Sequence, residues 1–138
     1  MFGFQAAGAA PIVDGAPVAD PQTVATAIRI GNPASWQAAV TALKESNGHI
    51  DKVTDEEILH AYKTVARTDG VFVEPASASA LAGIIKCVKA GKIPAGSIIT
   101  ATMTGHGLKD PDCAIKTAGF EPIIVPPTRD AVMKVIGL

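Results

Sequence analysis

Residues 49–91, HIDKVTDEEILHAYKTVARTDGVFVEPASASALAGIIKCVKAG, decide the fold class of this 138-residue chain. The run at 49–53 predicts a short strand. Thr54 predicts the start of a helix, because Glu57 three residues later completes a capping box. Apolar residues then recur at helical spacing, and Gly70 predicts the end of the helix. The predicted buried face consists of Ile58, Leu59, Tyr62, Val65 and Ala66.

The second half of the stretch predicts a brief extended segment and a second helix. Residues 71–73 are apolar and β-branched or aromatic, which favours an extended backbone. Pro75 suits the first turn of a helix, and Gly91 suits its end. The helix between them is rich in small and apolar residues, and Cys87 within it is expected to be a buried free thiol.

Strands and helices alternate outward from this stretch in both directions. Further strands are predicted at 23–30, 97–103 and 122–125. Further helices are predicted from Asn32-Pro33 to 47 and at 130–136. The first of these two helices is expected to bury Trp36, Ala39, Val40 and Leu43. The 97–103 run carries no charge, which is typical of a central parallel strand covered on both faces. The pattern therefore predicts an α/β fold in one domain, with a mostly parallel sheet and helices on both faces.

Composition excludes several classes of function. Hydrophobic residues make up 48% of the chain and charged residues 18%, which is too apolar for a disordered protein. The net charge of −1 and the 4% aromatic content give no case for a nucleic-acid or membrane partner. No run approaches the ~20 apolar residues that span a bilayer. With only Cys87 and Cys113, no disulfide framework is expected, so the expected location is the cytoplasm.

Ligands of parallel α/β sheets bind beyond the carboxyl ends of the strands. Two segments occupy such positions, Thr104 to Gly107 and Arg29 to Asn32. Thr104 could present its hydroxyl to a small molecule, with the flanking glycines admitting a ligand, or it could satisfy a backbone group. Arg29 could bind phosphate or carboxylate, or form a structural salt bridge.

A third candidate is Glu74 at the start of the second helix, where free N–H groups could hold an anion or a polar ligand edge. Alternatively, the small residues there let the helix pack close to the sheet, and Glu74 stabilises its own helix start. His49, His60 and His106 lack the spacing of metal ligands, so no metal site is expected.

Five motifs occur in an order that resembles the C-terminal portion of the threonine synthase family, within fold type II pyridoxal-phosphate (PLP) enzymes. They are GFQAAGAAP (3–11), TAIRIGNPASW (26–36), VTDEEILHAY (53–62), GVFVEPASASALAG (70–83) and TGHGLKDPD (104–112). The resemblance implies that residues 1–138 are part of the large PLP-binding domain. It also implies the conversion of O-phospho-L-homoserine and water to L-threonine and phosphate, in a homodimer.

The resemblance implies roles for three residues. Thr104 matches a residue whose hydroxyl faces the pyridine nitrogen of PLP. Ala27 matches a small residue bordering the cofactor ring, and Glu74 matches an acidic residue near the far side of the ring. A neutral hydroxyl does not hold the ring nitrogen protonated, which makes a milder electron sink suited to elimination and replacement. For the substrate, Arg29 and Asn32 are the candidates.

The family's Schiff-base lysine, phosphate-binding loop and small domain all lie N-terminal to any matched segment. The resemblance therefore implies no catalytic residue in this chain, which is expected to be inactive alone and to need a missing N-terminal part. The alternative is a stand-alone α/β binding or regulatory module derived from a PLP enzyme.

Overall fold

A computed structural model describes residues 1–119 and 123–138 of the chain. Its two strands are β1 (Phe2–Ala6) and β2 (His49–Val53). Its helices are α1 (Pro11–Asp14), α2 (Trp36–Glu45), α3 (Asp55–Asp69), α4 (Pro75–Lys89), α5 (Pro111–Ala118) and α6 (Arg129–Ile136). Two short 3-10 turns lie at Thr26–Ile28 and Gly107–Lys109.

The strands β1 and β2 pair in parallel, from Phe2 opposite His49 to Ala6 opposite Val53. Helix α4 packs across both strands, and α3 packs against α4. The α/β class with parallel strands is therefore confirmed. The core lies between these elements and is built mainly from small and branched side chains, among them Ala6, Val53, Ile58, Ala61, Val65, Ala78 and Ala82.

Helix α3 begins and ends as the sequence predicts. Thr54 accepts a hydrogen bond from the Glu57 N–H at 3.2 Å, and the Glu57 carboxylate accepts one from the Thr54 N–H at 2.8 Å. This completes the capping box, and Gly70 closes the helix in the left-handed conformation at φ 66°. Ile58, Tyr62 and Val65 are buried as predicted; Leu59 is half-buried, and Ala66 is exposed.

Helix α4 packs closely on the sheet because it carries glycine where it crosses β1. A Cβ on Gly83 would lie 2.1 Å from Cγ of Phe4. The same helix buries Cys87 as a free thiol, as predicted, while Val88 near its end is exposed.

Gly83→Ala is expected to destabilise the chain although alanine favours helices. The ring of Phe4 must move, and overpacking of this kind costs about 1–3 kcal/mol. The gain in helix propensity is at most about 1 kcal/mol. Thermal unfolding measured at equal protein concentration should show a lower Tm. Gly3→Ala is the matched control, since its Cβ would meet Ile50 at an ordinary 3.6 Å; equal Tm values for the two variants would contradict the packing argument.

Residues 23–30 were predicted as a strand, and that prediction is wrong. Hydrogen bonds to the Asp55 side chain and within a tight turn take the place of a neighbouring strand. Asp55, in the first turn of α3, accepts hydrogen bonds from the Thr23 hydroxyl at 2.5 Å and from the Val24 N–H at 3.0 Å. The chain then closes the Thr26–Ile28 turn, where the N–H of Ile28 donates to the Ala25 carbonyl.

Residues 97–103 were predicted as a central strand, and they form none. Ile98 is fully exposed and Ile99 half-exposed. The segment lies across a groove from β1, lined by Phe2, Phe4, Ile84 and residues 97–102. A strand requires a hydrogen-bonded neighbour, and among the described residues this segment has none. Residues 123–125 also form no strand, while Pro122, the first residue of that predicted strand, lies outside the described residues.

Helix α2 starts at Trp36 instead of at Asn32-Pro33, and its predicted face is only half-buried at Trp36, Val40 and Leu43, with Ala39 exposed. Within residues 1–119 and 123–138, no helix is both long and apolar enough to cross a membrane.

Candidate functional site

The candidate site lies where the start of α4 meets the loop 104–107. The segment before α4 runs antiparallel to this loop, with Val73 bridged to His106. The Glu74 N–H donates to the Gly105 carbonyl at 2.9 Å, and the Gly107 N–H donates to the Phe72 carbonyl at 3.1 Å. The loop is therefore fixed by α4 and its leading segment, and not by the end of a strand as the sequence predicted.

The two glycines of the loop make room for protein groups. A Cβ on Gly105 would lie 1.9 Å from Oε1 of Glu74, and one on Gly107 would lie 2.3 Å from the Phe72 ring. The Phe72 ring also meets His106 edge to face, with centroids 5.5 Å apart. The sequence prediction that these glycines admit a ligand is thus corrected at both positions, because the space is taken by Glu74 and Phe72.

Thr104 is exposed, and its hydroxyl lies within hydrogen-bonding distance of a side chain of α4. The Oγ atoms of Thr104 and Ser77 are 3.1 Å apart. Ser77 is 2% exposed and also bonds the next residue, accepting from the Gly105 N–H at 2.7 Å. The Thr104 hydroxyl therefore bonds a side chain and not a backbone group, and it remains open to solvent on its other side.

Glu74 is buried and paired with Lys109 of the same loop region. The Lys109 ammonium lies 3.3 Å from Oε2 of Glu74. Glu74 is also the N-cap residue of α4, but its side chain makes no capping hydrogen bond. The Glu74 side chain therefore does not stabilise the helix start through a capping hydrogen bond. The carboxylate instead joins the α4 start to the loop through Lys109.

Ala27 lies on the Thr26–Ile28 turn, which packs against α4. The Thr26 hydroxyl is 3.5 Å from the Asp110 carboxylate, just beyond the Thr104 loop. Asp110 in turn caps α5 by accepting from the Cys113 N–H at 3.1 Å. The fold thus brings Ala27, Glu74 and Thr104 to one end of α4, and the Ala27 side chain is exposed there.

Arg29 and Asn32 follow this turn and have exposed side chains. In the part of the chain that the structure describes, Arg29 takes part in no ion pair, so the structural salt bridge considered for it is not formed there.

Burial raises the pKa of Tyr62 on α3, and the nearby Cys113 and Asp110 raise it further. Across residues 1–119 and 123–138, no group of three or more His, Cys, Asp or Glu side chains could hold a metal ion.

Two residues of this arrangement were not singled out by the sequence, Ser77 and Lys109. Ser77 lies in the EPASAS run, but nothing in the spacing distinguishes it from Ser79 two residues on. Only the fold shows that Ser77 faces Thr104, whereas Ser79 donates to the Ala76 carbonyl of its own helix at 2.6 Å.

Residues 1–105 match the family of pyridoxal-phosphate dependent enzymes. A solved structure, a threonine deaminase from T.th., superposes with a TM-score of 0.51 over 88% of this chain and 41% of its own, at 20% identity. That likeness concerns the fold alone. Because the family match covers most of the chain, this protein belongs to the pyridoxal-phosphate dependent enzymes.

Within that family, the chain is similar to threonine synthases. It is 59% identical over 85% of its length to the one from Bacillus sp. (strain ULM1). It is 53% identical over its whole length to the one from Mycobacterium tuberculosis H37Rv, and 50% identical over 89% to the one from Methanocaldococcus jannaschii. The chain spans about a third of these relatives, from 32% to 38% of their lengths.

Proposed function

We propose that this chain forms part of a threonine synthase, which converts O-phospho-L-homoserine and water to L-threonine and phosphate. The observation that carries the proposal is the 53% identity to the M. tuberculosis threonine synthase over the whole chain. The chain would supply the side of the site that faces the cofactor ring nitrogen. The Schiff-base lysine and the phosphate-binding loop would come from the part of the enzyme that corresponds to the remaining two thirds of the relatives.

The residues at the N-terminal end of α4 fit PLP. Thr104 offers an exposed hydroxyl that is already anchored on one side by Ser77. Ala27 is small and exposed, so a flat ring could lie against it. The one carboxylate in the group, Glu74, is paired with Lys109. The site thus presents the ring nitrogen with a neutral hydroxyl, not with a free carboxylate.

Bound PLP supplies an electron sink for the carbon atoms of the substrate. Thr104 would donate a hydrogen bond from its hydroxyl to the ring nitrogen, with the proton staying on the Thr104 oxygen and the nitrogen uncharged. The ion pair of Glu74 with Lys109 would hold the Thr104 loop in place, and we retain Glu74 as a cofactor-binding candidate near the far side of the ring. Ala27 would leave space for the ring. Arg29 and Asn32, exposed beside the Ala27 turn, are the candidates for binding the phosphate or carboxylate of the substrate.

A hybrid subunit tests this proposal. In it, this chain replaces the matched 38% of the M. tuberculosis threonine synthase. We expect the purified hybrid to bind PLP covalently and to release phosphate from O-phospho-L-homoserine, and to restore growth without threonine to a strain that lacks the enzyme. The rest of the M. tuberculosis protein, expressed without this chain, is the negative control.

The isolated chain is the contrasting arm of the same experiment. Mixed with PLP and dialysed, it should retain no covalent PLP absorbance band, because none of its nine lysines lies in the sequence context of the family lysine. A stoichiometric band mapped to one lysine of the isolated chain would refute the proposal that the Schiff-base lysine lies in the rest of the enzyme. A hybrid that binds PLP but releases no phosphate would refute the proposed reaction.

A further inference from the structure

We propose that Ser77 is a positioning residue that fixes the direction of the Thr104 hydroxyl proton. The inference rests on the proposed function, in which Thr104 faces the ring nitrogen of PLP. Thr104 can make that contact with its oxygen or with its proton, and the two contacts require opposite protonation states of the ring. The hydrogen bonds behind Thr104 determine which contact is made.

Ser77 lies at the centre of those hydrogen bonds. Its Oγ accepts from the Gly105 N–H at 2.7 Å. The same Oγ lies 3.1 Å from the Gly105 carbonyl and 3.1 Å from the Thr104 hydroxyl. Ser77 is buried in the first turns of α4, and its backbone N–H is bonded to the Glu74 carbonyl at 3.0 Å. Its position is therefore set by the helix.

A serine hydroxyl has one proton to donate. The Gly105 carbonyl, 3.1 Å away, is a competing acceptor for that proton, but it already accepts from the Glu74 N–H at 2.9 Å. Ser77 can therefore donate to Thr104 without leaving a buried acceptor unpaired. The Thr104 oxygen then accepts a hydrogen bond from the α4 side, and its own proton points away from α4 toward the exposed side.

The consequence is a directed chain of hydrogen bonds from Gly105 N–H through Ser77 and Thr104 to the ligand. Such chains strengthen one another because each donor polarises the next. The ligand atom at the end of the chain must be an acceptor, as an unprotonated pyridine nitrogen is. The arrangement thus selects the uncharged ring and disfavours a protonated one.

The test compares PLP with its analogue in which the ring nitrogen is replaced by a C–H group. Dissociation constants are measured by titrating both into the apo form of the hybrid subunit. Ser77→Ala is expected to weaken binding of PLP roughly five-fold, the value of one hydrogen bond of about 1 kcal/mol. Binding of the analogue should stay unchanged, because it cannot accept the Thr104 proton.

Three variants complete the design. Ser79→Ala removes a buried hydroxyl of the same helix that donates to the Ala76 carbonyl, and it should alter neither constant. Ser77→Cys serves the same comparison if Ser77→Ala does not fold. In Thr104→Val, the preference for PLP over the analogue should fall, and adding Ser77→Ala should then cost no further PLP affinity.

Equal weakening of PLP and analogue by Ser77→Ala would overturn the inference, since it would indicate a purely structural role. Additive losses in the double variant would overturn it too. If Thr104→Val leaves the preference for PLP unchanged, Thr104 does not face the ring nitrogen, and the proposed cofactor placement fails together with the inference. The activity of the unmodified hybrid separates these results from a failure of the proposed reaction.

Discussion

Ala27→Phe in the hybrid subunit is expected to weaken PLP binding severely while leaving the folded chain intact. Ala27 is exposed on the Thr26–Ile28 turn, so a phenyl group there can extend into solvent in the apo chain. The turn is held against α4 and beside Asp110, so it cannot easily swing away. A phenyl group would occupy the space proposed for the cofactor ring. The expected loss is about 3 kcal/mol or more, roughly 100-fold in the dissociation constant.

The measurement is a PLP titration of the apo hybrid, followed by its absorbance. Circular dichroism and the Tm of the apo form check that the fold is kept. Ala39→Phe is the matched control, because Ala39 is also exposed but lies on α2, which contributes no residue to the candidate site. Unchanged PLP affinity in Ala27→Phe would show that Ala27 does not border the ring. A lowered Tm in the apo form would mean that the turn is packed in the full subunit.

The parts of the fold that the sequence predicts well are those fixed by local chemistry. The capping box of Thr54 and Glu57 needs only residues three apart, and Gly70 and Pro75 act on their own neighbours. The helical period also identifies Ile58, Tyr62 and Val65 on the buried face of α3, although Leu59 and Ala66 are not buried. In each case the signal and the structure lie within a few residues of each other, so the sequence contains the whole argument.

The predicted strands at 23–30 and 97–103 depended on partners that a local pattern does not contain. At 23–30, Asp55, some thirty residues away, provides acceptors that compete with strand pairing. At 97–103, the lack of charge gives the composition of a buried strand, but Ile98 is fully exposed in this chain. β-Propensity describes how a residue fits a half-buried sheet surface. It does not show whether a neighbouring strand is present to form that sheet.

The sequence offered candidate members of the site, but not the hydrogen bonds that connect them. The resemblance selected Thr104, Ala27 and Glu74, and the fold brings all three to one end of α4. What the sequence did not reveal is that Glu74 occupies the space where a side chain at position 105 would lie, and that Ser77 hydrogen-bonds Thr104. Both facts depend on contacts between residues far apart along the chain, where spacing carries no information.

The isolated chain is expected to form a dimer or larger assembly at micromolar concentration. Within residues 1–119 and 123–138, the only strand paired with β1 is β2, so the second edge of β1 offers unpaired backbone groups. Such an edge recruits another chain. The groove beside it exposes Met1, Phe2, Ile98 and Ile99, and exposed apolar surface of this kind drives association. We expect a second copy of the chain to cover it.

Size-exclusion chromatography with light scattering tests this expectation, with a mass of at least twice 14.1 kDa as the predicted result. Ile98→Glu places a charge in the groove and should shift the population toward monomer. Ile124→Glu is the matched control, because Ile124 is 95% exposed but does not line that groove. A 14.1 kDa monomer with a cooperative thermal transition would contradict the expectation. The groove would then be stable in water without a partner, which is what a stand-alone binding module requires and a piece of a larger sheet does not.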